Sequence, residues 1–142
     1  MTFTSQVAPL VALVVLSLAG FAQTGMRAGL WENTVTARGQ TITHKACITS
    51  EQEKLSKGSV ESMRAATEKA LEKTPTCKIT EFSVTGNVST VVMTCAKETT
   101  KRVTTITGDM FRTVATSTRG GETQTAIFTG KRIGNCPAGG VQ

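Results

Sequence analysis

The chain has 142 residues, with 16 Lys and Arg against 10 Asp and Glu for a net charge of +6, four Cys, one Trp, five Phe and no Tyr. That length fits one compact domain and argues against a second. The basic residues are spread from Arg27 to Arg132 in runs no longer than two, which argues against a concentrated nucleic-acid-binding tract, and so few aromatics leave a thin core that gains from covalent staples.

Val7–Ala22 (VAPLVALVVLSLAGFA) carries no charge and ends in small residues. Gly20 and Ala22 stand at the two positions a signal peptidase reads, so residues 1–22 are expected to be an export signal cleaved before Gln23. The run falls short of the roughly 20 apolar residues that span a bilayer comfortably, and no stable membrane span is expected after cleavage. Met1–Gln6 lacks Lys and Arg, an irregular feature for a signal. No Cys follows the apolar run directly, which argues against a lipid anchor. Residues 23–142 then form a single exported domain in the periplasm or outside the cell.

Leu30–Arg38 alternates, placing Trp31, Val35 and Ala37 on the face expected to be buried. Gly39-Gln40 reads as a turn and Thr41–Ile48 as the returning strand. The period changes after Cys47. Thr49 followed by Gln52 predicts a capped helical turn, and Ser59 precedes an amphipathic helix from Val60 to about Lys73. Its apolar positions are Val60, Met63, Ala66, Ala70 and Leu71, a face suited to packing on a sheet, and Pro75 lies beyond its end. Five β runs follow, over residues 77–84, 88–96, 102–107, 110–118 and 123–130, most of them separated by Gly86-Asn87, Gly108-Asp109 and Gly120-Gly121. The expected fold is therefore mainly β with a helical insert (α+β). About seven antiparallel strands make a curved sheet, barrel-like or sandwich, with one amphipathic helix packed on it.

Four cysteines allow three pairings. Cys77 and Cys95 are each nine positions from Gly86, so a three-residue loop Thr85-Gly86-Asn87 would set them opposite one another; a two-residue loop would shift the register by one. The first geometry leaves Cys47 to meet Cys136. Metal and redox chemistry find no support, because there is no C-x-x-C and His44 is the only histidine. Asp109 is the only aspartate and reads as a turn residue, no nucleophile motif is present, and Glu51 with Glu53 and Glu68 with Glu72 fit solvated helix faces. No cofactor and no catalytic residue is assigned, and an enzyme is not expected. Asn87-Val88-Ser89 matches a glycosylation acceptor but falls in a tight hairpin.

Gly29-Leu30-Trp31-Glu32, Cys47-Ile48-Thr49-Ser50-Glu51, Met93-Thr94-Cys95 and Gly130-Lys131-Arg132-Ile133-Gly134-Asn135-Cys136 stand out together. This set resembles an exported bacterial family known as domain of unknown function 3617. The resemblance implies a bacterial, periplasmic location and four structural cysteines, and supplies no activity. Two roles follow as expectations. One is a non-enzymatic envelope protein that binds an apolar or amphipathic ligand inside its curved sheet. The other is an interaction or inhibitor protein that turns a basic surface toward an anionic envelope component or another exported protein. A monomer is expected. Trp31 is expected either to plug the core or to face a ligand.

Overall fold

The structure is a computed structural model that describes residues 25–140; the expected signal and its cleavage site lie outside the described residues. The strands are β1 (Gly29–Ala37), β2 (Gln40–Ile48), β3 (Cys77–Thr85), β4 (Val88–Cys95), β5 (Glu98–Thr107), β6 (Met110–Arg119) and β7 (Glu122–Gly134), with helices α1 (Ser50–Ser56) and α2 (Val60–Ala70) inserted after β2. All pairings are antiparallel in one seven-stranded sheet of order β2-β1-β7-β6-β5-β4-β3. The sheet is open. It is neither a closed barrel nor two stacked sheets, because β2 and β3 remain as edges with the helical insert as the chain between them.

Alternation divides the sheet into two faces. The inner face collects Trp31, Val35, Ile48, Ile106, Phe111, Ala115 and Phe128, which join Met26 in a single buried cluster. Those residues come from five strands, so the twisted sheet wraps one side around its own core. The outer face is dominated by Thr and charged residues, including hydrogen-bonded Thr34–Thr43 and Thr36–Thr41 pairs at 3.0 and 3.1 Å.

Two hairpins differ from the sequence reading. The first turn is Arg38-Gly39 rather than Gly39-Gln40, with φ of 51° and 74°. A two-residue loop of that handedness matches the strand twist, and it sets Ala37 opposite Gln40. The β3–β4 loop has two residues, not three, since Thr85 pairs with Val88. Gly86 takes the positive φ of 59° that this loop needs at its first position. That register alone would miss the Cys77–Cys95 pairing by one. A bulge at Thr80 restores it: Glu81 pairs with Val92, Ile79 with Met93, and Cys77 with Cys95. The Thr80 hydroxyl donates to the Val92 carbonyl at 3.3 Å and fastens the bulge.

The helical insert is capped as its sequence predicts. Thr49 Oγ1 accepts from the Gln52 N–H at 3.2 Å and Gln52 Oε1 accepts from the Thr49 N–H at 2.8 Å, while Ser59 Oγ accepts from the Ser62 N–H at 3.1 Å. α2 ends at Ala70 and tightens into a single 3₁₀ turn, Leu71–Lys73. Only Met63 and Leu71 of its expected apolar face are buried, whereas Val60 is exposed. The helix therefore rests beside the edge strand β3 through its middle and end, and its first turn projects into solvent.

Candidate functional site

The disulfides hold the two roots of the insert. Cys47, at the end of β2, joins Cys136 beyond β7 with Cα atoms 5.6 Å apart; Cys77 and Cys95, at the open ends of β3 and β4, join at 4.0 Å. Cys136 Sγ lies 3.6 Å from the Ile48 carbonyl oxygen. The insert thus leaves and re-enters the sheet at covalently fixed points, and no cysteine is free.

The G-L-W-E and G-K-R-I-G-x-C segments meet across β1 and β7, where Trp31 is opposite Arg132. Trp31 is 0% exposed, its ring centroid lies 5.9 Å from that of Phe111, and its Nε1–H donates to the Arg27 carbonyl at 2.9 Å. Arg132 Nε donates to the Ala28 carbonyl at 2.8 Å, and Glu53 Oε2 accepts from the Ala28 N–H at 2.8 Å. Ser56 accepts from the Gly25 N–H at 3.0 Å through its carbonyl, and Arg27 meets Asp109 at 3.1 Å. These contacts clamp the arm 25–28 between α1, the β5–β6 turn and β7. Hydrogen bonds from Lys57 and the Ala28 N–H hold the Glu53 carboxyl below its usual range. The family-like motifs are therefore architectural. Trp31 is packed in the core and not on a surface open to a ligand.

The groups weighed for chemistry do not converge. His44 lies on edge strand β2 opposite Asn33, while Asp109 is engaged by Arg27. Glu68 pairs with Arg64 at 2.9 Å. Asn87 donates its side-chain N–H to the Ile106 carbonyl at 2.8 Å and takes the Ile106 N–H on its own carbonyl at 3.0 Å. On the outer face Glu32 stands between Lys45 and Lys131 on its two neighbouring strands, so positive charge there is interrupted.

The feature absent from the sequence reading is Arg102. Thr100, Arg102, Thr104 and Ile106 share one side of β5, so Arg102 belongs to the inner face, where it is half-buried. Its guanidinium carbon lies 5.6 Å from the Phe128 ring centroid, at cation–π range. Burial pushes its pKa down to about 10, which leaves it a cation at neutral pH. The register builds a cross-strand row in which Ala37, Ala126, Ala115 and Arg102 are consecutive neighbours on β1, β7, β6 and β5, continuing to Val91 and Phe82 on β4 and β3. Three methyl-sized side chains thus lead to one half-buried cation. On one side stands the taller row Val35, Phe128, Thr113 and Thr104; on the other stand Gln124, Ser117 and Thr100. Both flanks carry hydroxyl pairs, Thr104–Thr113 at 2.7 Å and Thr100–Ser117 at 2.9 Å. The signal was in the sequence, since Arg102 is in phase with Ile106, but its apolar neighbours come from other strands.

The inner face also holds Asn33, 3% exposed, whose Oδ1 finds no donor among the described residues. It lies beside Gly130 and the Phe111 ring, which occupies the space that a Cβ at Gly130 would need. No helix among the described residues is long and apolar enough to cross a membrane.

A family model described as a protein of unknown function (DUF3617) matches residues 26–136. No curated protein and no solved structure matches the chain.

Proposed function

The chain belongs to the DUF3617 family of proteins of unknown function, and from that premise we propose that it is an exported, non-enzymatic binding protein that holds an anionic amphipathic molecule on its inner sheet face. The observation that carries this reading is the row Ala37-Ala126-Ala115-Arg102. Across four strands the row spans about 14 Å, is apolar along its length and is ended by a fixed positive charge. The half-buried guanidinium beside the Phe128 ring remains charged at neutral pH. Guanidinium presents its N–H donors in a planar fork whose shape suits a carboxylate or phosphate head.

Export is part of the same reading. Two disulfides suit an oxidising compartment, and the apolar segment before Gln23 is the route to it. N-terminal sequencing of the protein from its own cell should begin at or near Gln23; an intact Met1 terminus would refute cleavage.

Binding is tested by titrating the oxidised domain with laurate and with dodecyl maltoside, which share a chain length and differ in head charge. Laurate should bind more tightly by about 10-fold or more, as expected for one charge-assisted hydrogen bond. Arg102→Met should abolish that preference, and Ala126→Leu, which fills the row, should weaken both probes. Equal binding of the two probes, or none of either, would defeat the reading.

A further inference from the structure

The inner-face positions of β5 and β6 around Arg102 form a small grid. Arg102 stands opposite Ala115, with the pair Thr100–Ser117 on one side along the strands and the pair Thr104–Thr113 on the other. Same-face neighbours on a strand are about 7 Å apart, so each hydroxyl pair borders the arginine directly.

The protons of the two pairs are disposed differently. Two hydroxyls carry two protons, and the hydrogen bond between them uses one. At Thr100–Ser117 the second proton has a carboxylate nearby, since Thr100 Oγ1 lies 3.5 Å from Glu98 Oε1. At Thr104–Thr113, joined at 2.7 Å, no described residue accepts it. Thr104 is 6% exposed and Thr113 0%, so bulk water serves that proton poorly, and a buried donor without an acceptor costs free energy. The guanidinium reaches the same side of the grid: its carbon lies 5.6 Å from the Phe128 ring centroid, and Phe128 is the cross-strand partner of Thr113.

Resting on the reading of the inner face as a site for an anionic amphipath, we propose that the head of that molecule is a phosphate monoester, with Arg102 supplying the charge and Thr104 a further donor that Thr113 orients. An arginine fork matches two oxygens of an oxyanion. A carboxylate has no third, whereas a phosphate monoester has three terminal oxygens and a charge of about −1.5 to −2 at neutral pH. The third oxygen accepts from Thr104 Oγ1–H, Thr113 donates to Thr104, and both protons of the pair then have acceptors. Glu98 beside the other pair repels an anion from that side, so the head is directed to Thr104.

Titrating the oxidised domain with dodecyl phosphate, laurate and inorganic phosphate tests the assignment. Dodecyl phosphate should bind about 10-fold or more tightly than laurate, as one added hydrogen bond to a charged group implies. Thr104→Val combined with Thr113→Val removes both hydroxyls together and orphans neither, so it should erase that margin while laurate keeps its preference over dodecyl maltoside. Thr104→Ser, which retains the hydroxyl, should keep the margin, and the comparison within the parent protein holds even where the valine pair fails to fold. Inorganic phosphate lacks the alkyl chain and should not displace dodecyl phosphate at equal concentration. Equal affinity of the parent for dodecyl phosphate and laurate, or a margin that persists in the valine pair, would overturn the phosphate head and leave the inner-face reading standing. Displacement by inorganic phosphate would overturn the assignment to an alkyl phosphate. Equal binding of laurate and dodecyl maltoside would remove the reading and this inference together.

Discussion

Replacing Trp31 with Ala attacks the junction on which the arm, β1 and β7 all depend. The indole is fully excluded from solvent. Burial of an aromatic of this size removes about 150–250 Å² from water, which at about 25 cal/mol per Å² is roughly 4–6 kcal/mol. Aromatic truncations in cores cost a similar amount, about 3–5 kcal/mol. The lost Nε1 bond leaves the Arg27 carbonyl without that donor and adds on the order of 1 kcal/mol. Against a total stability of about 5–15 kcal/mol, the variant should be close to unfolding at room temperature. The assay is thermal unfolding under oxidising conditions, where a loss of this size lowers the midpoint by about 10 °C or more. A midpoint within about 2 °C of the parent would refute the core assignment.

Gly130→Ala should cost about 1–3 kcal/mol, read by denaturant unfolding, because the added methyl meets the Phe111 ring and Asn33 Oδ1 in a closed core. Removing the disulfides pairwise should cost unequally: Cys47→Ala with Cys136→Ala opens a link across 89 positions and Cys77→Ala with Cys95→Ala one across 18, so the first should lose about 1–2 kcal/mol more in the chain-entropy account. Equal losses would show that constraint of the unfolded chain does not dominate. Glu53 has a folded pKa below its ordinary 4.5, so its contribution to stability is present above that value and is lost as pH falls through the lowered one. Glu53→Gln should therefore flatten this part of the acid limb of a stability-versus-pH curve, and an unchanged acid limb would remove its role in holding the arm.

The sequence and the structure agree where local chemistry decides. Alternation around Trp31, the Thr49–Gln52 capping box and the glycine turns are each set within a few residues, so the seven strands and two helical segments were legible. Element boundaries were less so. Strand β5 begins at Glu98 rather than Arg102 because Thr99, Thr100 and Lys101 carry no apolar alternation, yet β4 and β6 supply partners on both sides. The Cys77–Cys95 link formed through a different geometry from the one symmetry about Gly86 suggests. A shorter loop and a bulge compensate, and Thr80 gives no local sign of the bulge it makes. Arg102 was the main loss. Its role depends on Ala115, Ala126 and Phe128, which reach it only through the register of three other pairings. The open edge at β2 was equally hidden, since strand order is not written in any one segment.

Native mass spectrometry of the mature protein isolated from its own cell, under oxidising conditions, bears most directly on the inner face as a binding site. The account predicts a mass above that of the disulfide-bonded chain, with the added species released on activation as an anionic amphipath. Expression of Arg102→Met in the same cell should lose that species while retaining both disulfides. A parent protein that carries nothing at the inner face, or an adduct that persists equally in Arg102→Met, would contradict it.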